Sequence, residues 1–583
     1  MSSPKIQTVS TKPYEGQKPG TSGLRKKAKV FMQENYVENF VQATFDSLKG
    51  DANPKGDLLI LGGDGRYYNK EMAQTIIRMA CANGVAKVVV GLEGLISTPA
   101  VSHLIRSLGA AGGFIMTASH NPAGPNEDCG LKYNSRNGGP ANEAITDAIF
   151  KISQTISEYK IADLPEVDLA TVGETSFGDD FSVEVIDSTE TYAQLMDEVF
   201  DLGEIKAFLE RDDFTFTYDA MSGVAGPFAK RIFHQELGVP LEQLQNCEPL
   251  EDFGGGHPDP NLTYAHDLVK SMGLDSKGCA LADVDPDSLP DFGAAADGDA
   301  DRNMILGKQF FVTPSDSLAV IANNAECIKF FKDGLKTVAR SMPTSGAADR
   351  VAEDKDMKFF ETPTGWKYFG NLMDAKELTG GEKDFNPVLC GEESFGTGSN
   401  HIREKDGIFA VLCWLNILAA KNTDKSKPLV SVEDVVREHW ENFGRNYYTR
   451  YDYENVEADL AQKVMARLNG IIFMFQLTGE KPLEVGGGFT LVKCDEFEFH
   501  DEVDGSISPN QGWRFLMGDG SRFVFRLSGT GSVGATIRLY IEKYSKEDTN
   551  QETATALESL VQLALDFSDI HAITGREGPT VIT

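Results

Sequence analysis

Apolar and polar positions along the chain repeat one order: a short apolar run, a polar turn, then an amphipathic segment. The run DLLILGG from Asp57 predicts a buried strand, DGRYYN a turn, and EMAQTIIRMACANG a helix, because its apolar residues recur at helical spacing. AKVVVGLEG then reads as a strand, STPAVSHLIRSL as a helix, and GGFIM as a third strand that runs straight into the polar turn TASHNP. Such alternation predicts a mostly parallel sheet with helices on its faces. The order returns from FTFTYDAMSGVAGP to PDFGAAADGDADR, and again from TVARSMPTSG to PVLCGEESFG. The last stretch differs. GWRFLMGDGSRFVFRLSGTGSVGATIRLYIEKY alternates between glycine turns, and QETATALESLVQLALDF is helical in pattern. The expectation is three consecutive related α/β domains with mixed sheets around a central cleft, plus a C-terminal α+β domain, spanning residues 1–205, 206–318, 319–436 and 437–583. Residues 380–386 and 421–428 are polar and read as surface segments.

Composition changes this picture mainly by exclusion. A net charge of −33 and a pI near 4.7 oppose attraction to nucleic acid or an anionic membrane. An anionic substrate can bind only where local Arg and Lys outweigh that field within a Debye length of about 8 Å. The longest apolar stretch, residues 409–420, is shorter than the ~20 residues of a membrane span, and the first residues lack the apolar core of a signal peptide. Ser2 excludes myristoylation, and TVIT is no prenylation box. The eight cysteines are dispersed without a CxxC pair, which fits free thiols in a reducing cytoplasm.

Carboxylates at alternate positions of an extended loop, Asp297, Asp299 and Asp301, can converge on a hard cation. An EF-hand is excluded, since Arg302 stands where glycine is required and Lys308 where glutamate is required. Mg²⁺ fits, because three monodentate carboxylates leave room for a phosphoryl oxygen. Ser119 and His120 place a hydroxyl and an imidazole at a strand end, but outside the G-x-S-x-G pattern of acyl-transfer enzymes.

GTSGLRKK, GGDGRYYN, TASHNP, GLKYN, GGGHPDPN, DGDADRN, PTGWKYFG, GEESFGTGSNHIREKDG and RLSGTGSVGATIR occur in that order. Together they resemble the α-D-phosphohexomutase superfamily over essentially the whole chain, and within it the eukaryotic phosphoglucomutase branch that includes the ciliate parafusin type. The resemblance implies a cytoplasmic isomerase for glucose 1-phosphate and glucose 6-phosphate. It implies that Ser119 carries a transferable phosphoryl group, that this group with Asp297, Asp299 and Asp301 holds Mg²⁺, and that glucose 1,6-bisphosphate is intermediate and activator. Arg25 and Arg302 would neutralise the phosphoryl charge. Thr364, Gly365, Trp366, Glu392 and Ser394 would meet the sugar. The non-reacting phosphate falls to Arg526, Ser528, Gly529, Thr530, Gly531 and Arg538, whose glycines can form an anion nest and whose arginines supply charge. Proton transfer stays open among Lys132, Lys405 and His120. In one departure Ser222 replaces the family's histidine in DAMHG. Expected partners are small hexose phosphates, with no nucleic acid and no integral membrane association, on a monomer or weak dimer. The rival readings are a non-catalytic phosphoprotein scaffold and a metal-dependent phosphatase.

Overall fold

A computed structural model describes residues 4–20, 23–528 and 534–583. Its first large sheet runs in the order Leu24–Lys27, Asp128–Ser135, Gly112–Met116, Leu58–Gly63, Lys87–Leu95, Ser182–Ile186, Gly173–Ser176. The four strands from Gly112–Met116 to Ser182–Ile186 are parallel, and those outside them are antiparallel to their neighbours. The continuous apolar runs have a direct cause. Ile60, Val89 and Ile115 face one core with Val101, Leu104 and Ile105 of the helix Thr98–Ser107. Leu59, Leu61, Val88, Val90, Phe114 and Met116 face another with Met72, Ile76 and Ile77 of the helix Asn69–Ala82. Both faces are covered, so every position is apolar. Each such side chain contributes about 1.5–3 kcal/mol.

The second sheet orders Leu244–Gln245, Phe216–Asp219, Phe292–Ala296, Asn303–Gly307 and Phe310–Val312. In the third, the order is Lys358–Thr362, Thr337–Ser341, Val388–Glu392 and Gly396–Ser399. All three sheets share one device: a parallel strand ends, turns and returns as its antiparallel neighbour. The closing pairs are Ile115 with Lys132, Ala296 with Asn303, and Glu392 with Gly396. TASHNP, DGDADR and GEESFG are these turns. Ligands gather beyond the carboxyl ends of such strands. An isolated bridge between Arg302 and Gly396 ties the second turn to the third.

The C-terminal sheet is antiparallel throughout, in the order Leu483–Gly486, Phe489–Glu496, Trp513–Met517, Arg522–Ser528, Ala535–Ser545, Arg445–Val456, Val581–Ile582. It packs on the helices Ala458–Leu477 and Thr553–Ser568. The apolar stretch 409–420 lies in the helix Gly407–Lys421, whose buried residues run from Gly407 to Ala419. No described helix is long and apolar enough to cross a membrane. The polar segments 380–386 and 421–428 contain turns and many exposed residues. The expected joins at 205, 318 and 436 fall inside the helices Leu202–Leu209, Pro314–Asn323 and Val432–Phe443. We place the joins outside these helices, since the polarity pattern that ends strands sharply is less informative about where amphipathic helices begin.

Candidate active site

Ser119 lies past the end of the strand Gly112–Met116 at φ +55°, a left-handed conformation uncommon for a residue with a side chain. A buried lattice holds it there. The Ser119 amide donates to Thr117 Oγ1 at 2.7 Å, and the Thr117 hydroxyl donates to Asp64 Oδ2 at 2.6 Å. Asp64 pairs with Arg66 at 2.9 Å, both side chains without solvent exposure, and Arg66 donates to the Ser119 carbonyl at 2.8 Å and the Asp128 carbonyl at 2.9 Å. GGDGRYYN is thus the clamp behind the serine. Ser119 Oγ, freed from backbone duty, donates to Asp297 Oδ2 at 3.1 Å and stands 3.3 Å from His120 Nδ1.

Asp297, Asp299 and Asp301 are all buried, and one oxygen from each lies within 4.8 Å of the others. Backbone amides of Asp301 and Arg302 fix Asp297 Oδ1 at 2.9 and 3.0 Å, and the Thr98 hydroxyl fixes Asp299 Oδ2 at 2.7 Å. Asp299 Oδ1 and Asp301 Oδ1 are buried without a hydrogen-bond partner. Burial, then the charges of Asp301 and Asp299, push the Asp297 carboxyl well above its ordinary range. Unpartnered buried carboxylate oxygens around one point are the donor set of a hard divalent cation, so the residues fit Mg²⁺.

A cleft of about 290 Å³ opens beside this loop, lined by residues of all four sheets' domains. It brings together the predicted Arg25, His120, Lys132, Arg302, Thr364, Gly365, Trp366, Glu392, Ser394, Lys405, Arg526 and Arg538. Arg302 pairs with Asp259 at 3.0 Å. Burial lowers the pKa of Arg25. Burial, with Arg302 and Arg25 nearby, also pushes the His120 imidazole well below its ordinary value, so it is neutral. Lys132 is bound to Glu404 at 2.9 Å. Lys405 Nζ lies 3.4 Å from Asp301 Oδ2 and 4.0 Å from Glu392 Oε2, and although burial opposes its charge, these carboxylates hold its pKa above the ordinary lysine value. A lysine can accept a proton only where burial or neighbouring cations lower its pKa, and Lys405 does not meet that condition. Gly365, at φ +131°, donates its amide to Glu392 Oε1 at 3.0 Å. Thr364 Oγ1 and Trp366 Nε1 are buried without partners, which equips them to bond a hydroxylated ligand.

Arg526 and Arg538 face each other across adjacent strands, and Arg538 opposes Asp452 on the next. Asp452 lies 3.7 Å from Arg538 and 3.1 Å from Arg450, which also lines the cleft. Sequence reasoning missed Arg450, together with Asp259, Glu393 and Glu404 of the cleft wall. The signal for Arg450 was faint: Arg450 and Asp452 share a face of a strand by two-residue alternation. Ser528 ends the strand Arg522–Ser528, and Gly529, Thr530 and Gly531 lie outside the described residues. Ser222 is not among the residues that line the cleft. It borders a separate cavity of about 200 Å³ with Asp219 and His257.

Family models match nearly the whole chain. Those described as phosphoglucomutase/phosphomannomutase, alpha/beta/alpha domains I, II and III cover residues 16–160, 190–309 and 314–443, and one described as phosphoglucomutase-1, C-terminal domain covers 445–580. The chain is 57% identical to a "Phosphoglucomutase, cytoplasmic" of Mesembryanthemum crystallinum over 99% of each chain, and 57% identical to a "Probable phosphoglucomutase, cytoplasmic 1" of Arabidopsis thaliana over 99% of this chain and 100% of the relative. A solved structure of the exocytosis-sensitive phosphoprotein pp63/parafusin (phosphoglucomutase) from Paramecium, in an open form, superposes with a TM-score of 0.89 at 52% identity, covering 100% of this chain and 99% of that one. A putative phosphomannomutase from Thermus thermophilus shares the fold, with a TM-score of 0.63 at 23% identity over 95% of this chain and 100% of that one. With four domain models matched in chain order and full-length relatives beyond half identity, the chain belongs to the phosphoglucomutase/phosphomannomutase family and is a phosphohexomutase, an enzyme that interconverts hexose phosphates.

Proposed function

We propose that the chain interconverts glucose 1-phosphate and glucose 6-phosphate in the cytoplasm through phosphorylated Ser119 and a glucose 1,6-bisphosphate intermediate. The observation that carries this reading is the position of Ser119 Oγ, 3.1 Å from a buried carboxylate of the aspartate cluster and 3.3 Å from His120, which lines the cleft with Arg25, Arg302, Arg526 and Arg538. The "cytoplasmic" names of the relatives support the compartment, and the loop GEESFG resembles that of the glucose-specific branch of the family, which supports glucose over mannose or acetylglucosamine phosphates.

In the first step the bond from Ser119 Oγ to phosphorus breaks while a sugar hydroxyl oxygen forms its own bond to phosphorus. The hydroxyl gives up a proton and the serine oxygen gains one. Asp297, Asp299 and Asp301 would hold a divalent cation such as Mg²⁺, which would supply charge neutralisation and polarise the phosphoryl group. His120 Nδ1, neutral and 3.3 Å from Ser119 Oγ, orients the serine hydroxyl. Lys405, kept as an ammonium by Asp301 and Glu392, donates a hydrogen bond to the sugar oxygen and offsets the negative charge that develops on it, while the proton that the hydroxyl loses passes to the departing serine oxygen. Arg450, Arg526 and Arg538 hold the phosphate that is not reacting, so the bisphosphate can present either end.

The test is isomerisation of glucose 1-phosphate by the purified chain with Mg²⁺ and catalytic glucose 1,6-bisphosphate. Ser119→Ala should abolish it, a loss of at least ~10³-fold given the weight of a covalent step. Free phosphate released faster than isomer, or activity that survives Ser119→Ala, would overturn the proposal.

A further inference from the structure

The run from Arg403 to Gly407 reaches several parts of the site at once. The Arg403 amide donates to Ser102 Oγ at 2.9 Å, and Glu404 Oε1 accepts from Lys132 and Asn134, each at 2.9 Å. Lys405 reaches Asp301 and Glu392. The Gly407 amide donates to the Ala300 carbonyl at 3.1 Å, so close that a Cβ there would sit 2.2 Å from the Arg302 carbonyl. Asp406, between Lys405 and Gly407, is absent from the cleft lining. Its carboxylate has no solvent exposure and three partners: the Tyr192 hydroxyl donates to Oδ1 at 2.5 Å, the Phe409 amide to Oδ1 at 3.1 Å, and His401 Nε2 lies 3.0 Å from Oδ2. Tyr192 comes from the helix Ser188–Val199, far off in sequence, and is itself buried.

We infer that Tyr192 and Asp406 are positioning residues for the reaction: their buried hydrogen bond fixes the backbone pivot from which Lys405 and Gly407 reach the aspartate loop. The inference rests on the proposed role of Lys405. Charge-assisted bonds to a buried carboxylate are strong and directional, and a partner lost from a carboxylate without solvent exposure leaves a buried polar group unpaired. The chain neighbours of Asp406 can then move only together with it. A displacement of about 1 Å at a reacting group costs up to ~10²-fold in rate, without a matching loss of ground-state binding.

Tyr192→Phe keeps the ring and its edge contact with Phe228, at a centroid distance of 5.3 Å, and removes only the hydroxyl. It should lower kcat ~10-fold for glucose 1-phosphate, with KM changed less than ~3-fold. In a double-mutant cycle, Tyr192→Phe should cost little further on a Lys405→Ala background, because the lost hydroxyl acts through that lysine. Asp406→Asn, which can still accept from Tyr192 and donate to His401, should retain more activity than Asp406→Ala. Additive losses in the cycle, or Tyr192→Phe with wild-type kcat, would overturn the inference alone. An inactive wild type would overturn the parent reading and this one together. Thermal melting of each variant separates a fall in folded fraction from a fall in kcat.

Discussion

Ser119 keeps a positive φ because several buried bonds require it, and the strongest converge on Arg66. Its guanidinium serves the Asp64 carboxylate, the Ser119 carbonyl within the TASHNP turn and the Asp128 carbonyl beyond it, and lies 5.3 Å from the Phe253 ring. Arg66→Ala would leave Asp64 buried and unpaired, at a cost of about 3–5 kcal/mol by denaturant titration. The folded fraction should also lose ~10²-fold in kcat as the serine relaxes. Lysine cannot restore this, since only a planar fork reaches carboxylate and carbonyls together. At the aspartate cluster the like charges are close enough to oppose one another, and a bound cation binds the folded state alone. Mg²⁺ should therefore raise Tm, by an increment equivalent to about 2.7 kcal/mol at a hundred times its Kd. Asp301→Asn should blunt that rise. A Tm indifferent to Mg²⁺ in the wild type would speak against these residues as the metal site.

At the scale of elements, what could be read in the sequence was whatever fits inside one strand and its turn. TASHNP, DGDADR and GEESFG were legible because the apolar run that ends each strand and the polar groups at its tip are contiguous. Arg450, the Asp64–Arg66 clamp and the Tyr192–Asp406 contact were not, because their meaning lies in partners brought by other elements. Arg450 depends on a neighbour nearly the whole C-terminal domain away. Thr583 exchanges backbone hydrogen bonds with Arg450 at 2.7 and 3.0 Å, and the Thr580 amide donates to the Asp452 carbonyl at 2.7 Å. The short strand Val581–Ile582 thus covers the outer edge of the strand that presents Arg450 and Asp452 to the cleft. An uncovered edge leaves backbone groups unpaired and the strand freer to twist. Removing residues 580–583 should raise KM for glucose 1-phosphate about tenfold with kcat within ~3-fold, the pattern of a lost uniform binding contact. An unchanged KM would show that Arg450 is held by its own strand and Asp452 alone.

For the whole molecule, the acidic chain must keep its basic groups gathered, and the third and fourth domains are locked by a buried charge network that does this. Glu361 accepts from Arg340 at 3.0 Å, Arg514 at 2.5 Å and Arg522 at 3.2 Å, while Arg522 also meets Glu542 at 2.7 Å. Arg522 begins the strand that ends at Ser528 and carries Arg526, so the lock and the anion site share one element. Burial pushes the Glu361 carboxyl up, but Arg340, Arg522 and Arg514 outweigh it and hold it at about 2 against an ordinary 4.5. A depressed carboxyl stabilises the fold fully above its unfolded value, and that contribution, about 3 kcal/mol, is lost as pH falls from about 4.5 through about 2. Stability measured by denaturant should therefore drop over that window. Glu361→Gln should be less stable at neutral pH and show a flatter decline below pH 4.5, because the neutral amide has no charge to lose. Its KM for glucose 1-phosphate should rise as well, since the strand that bears Arg526 loses its anchor at the other end. If the decline in acid keeps its full slope in Glu361→Gln, other carboxylates carry the linkage and the lock does not reside at Glu361.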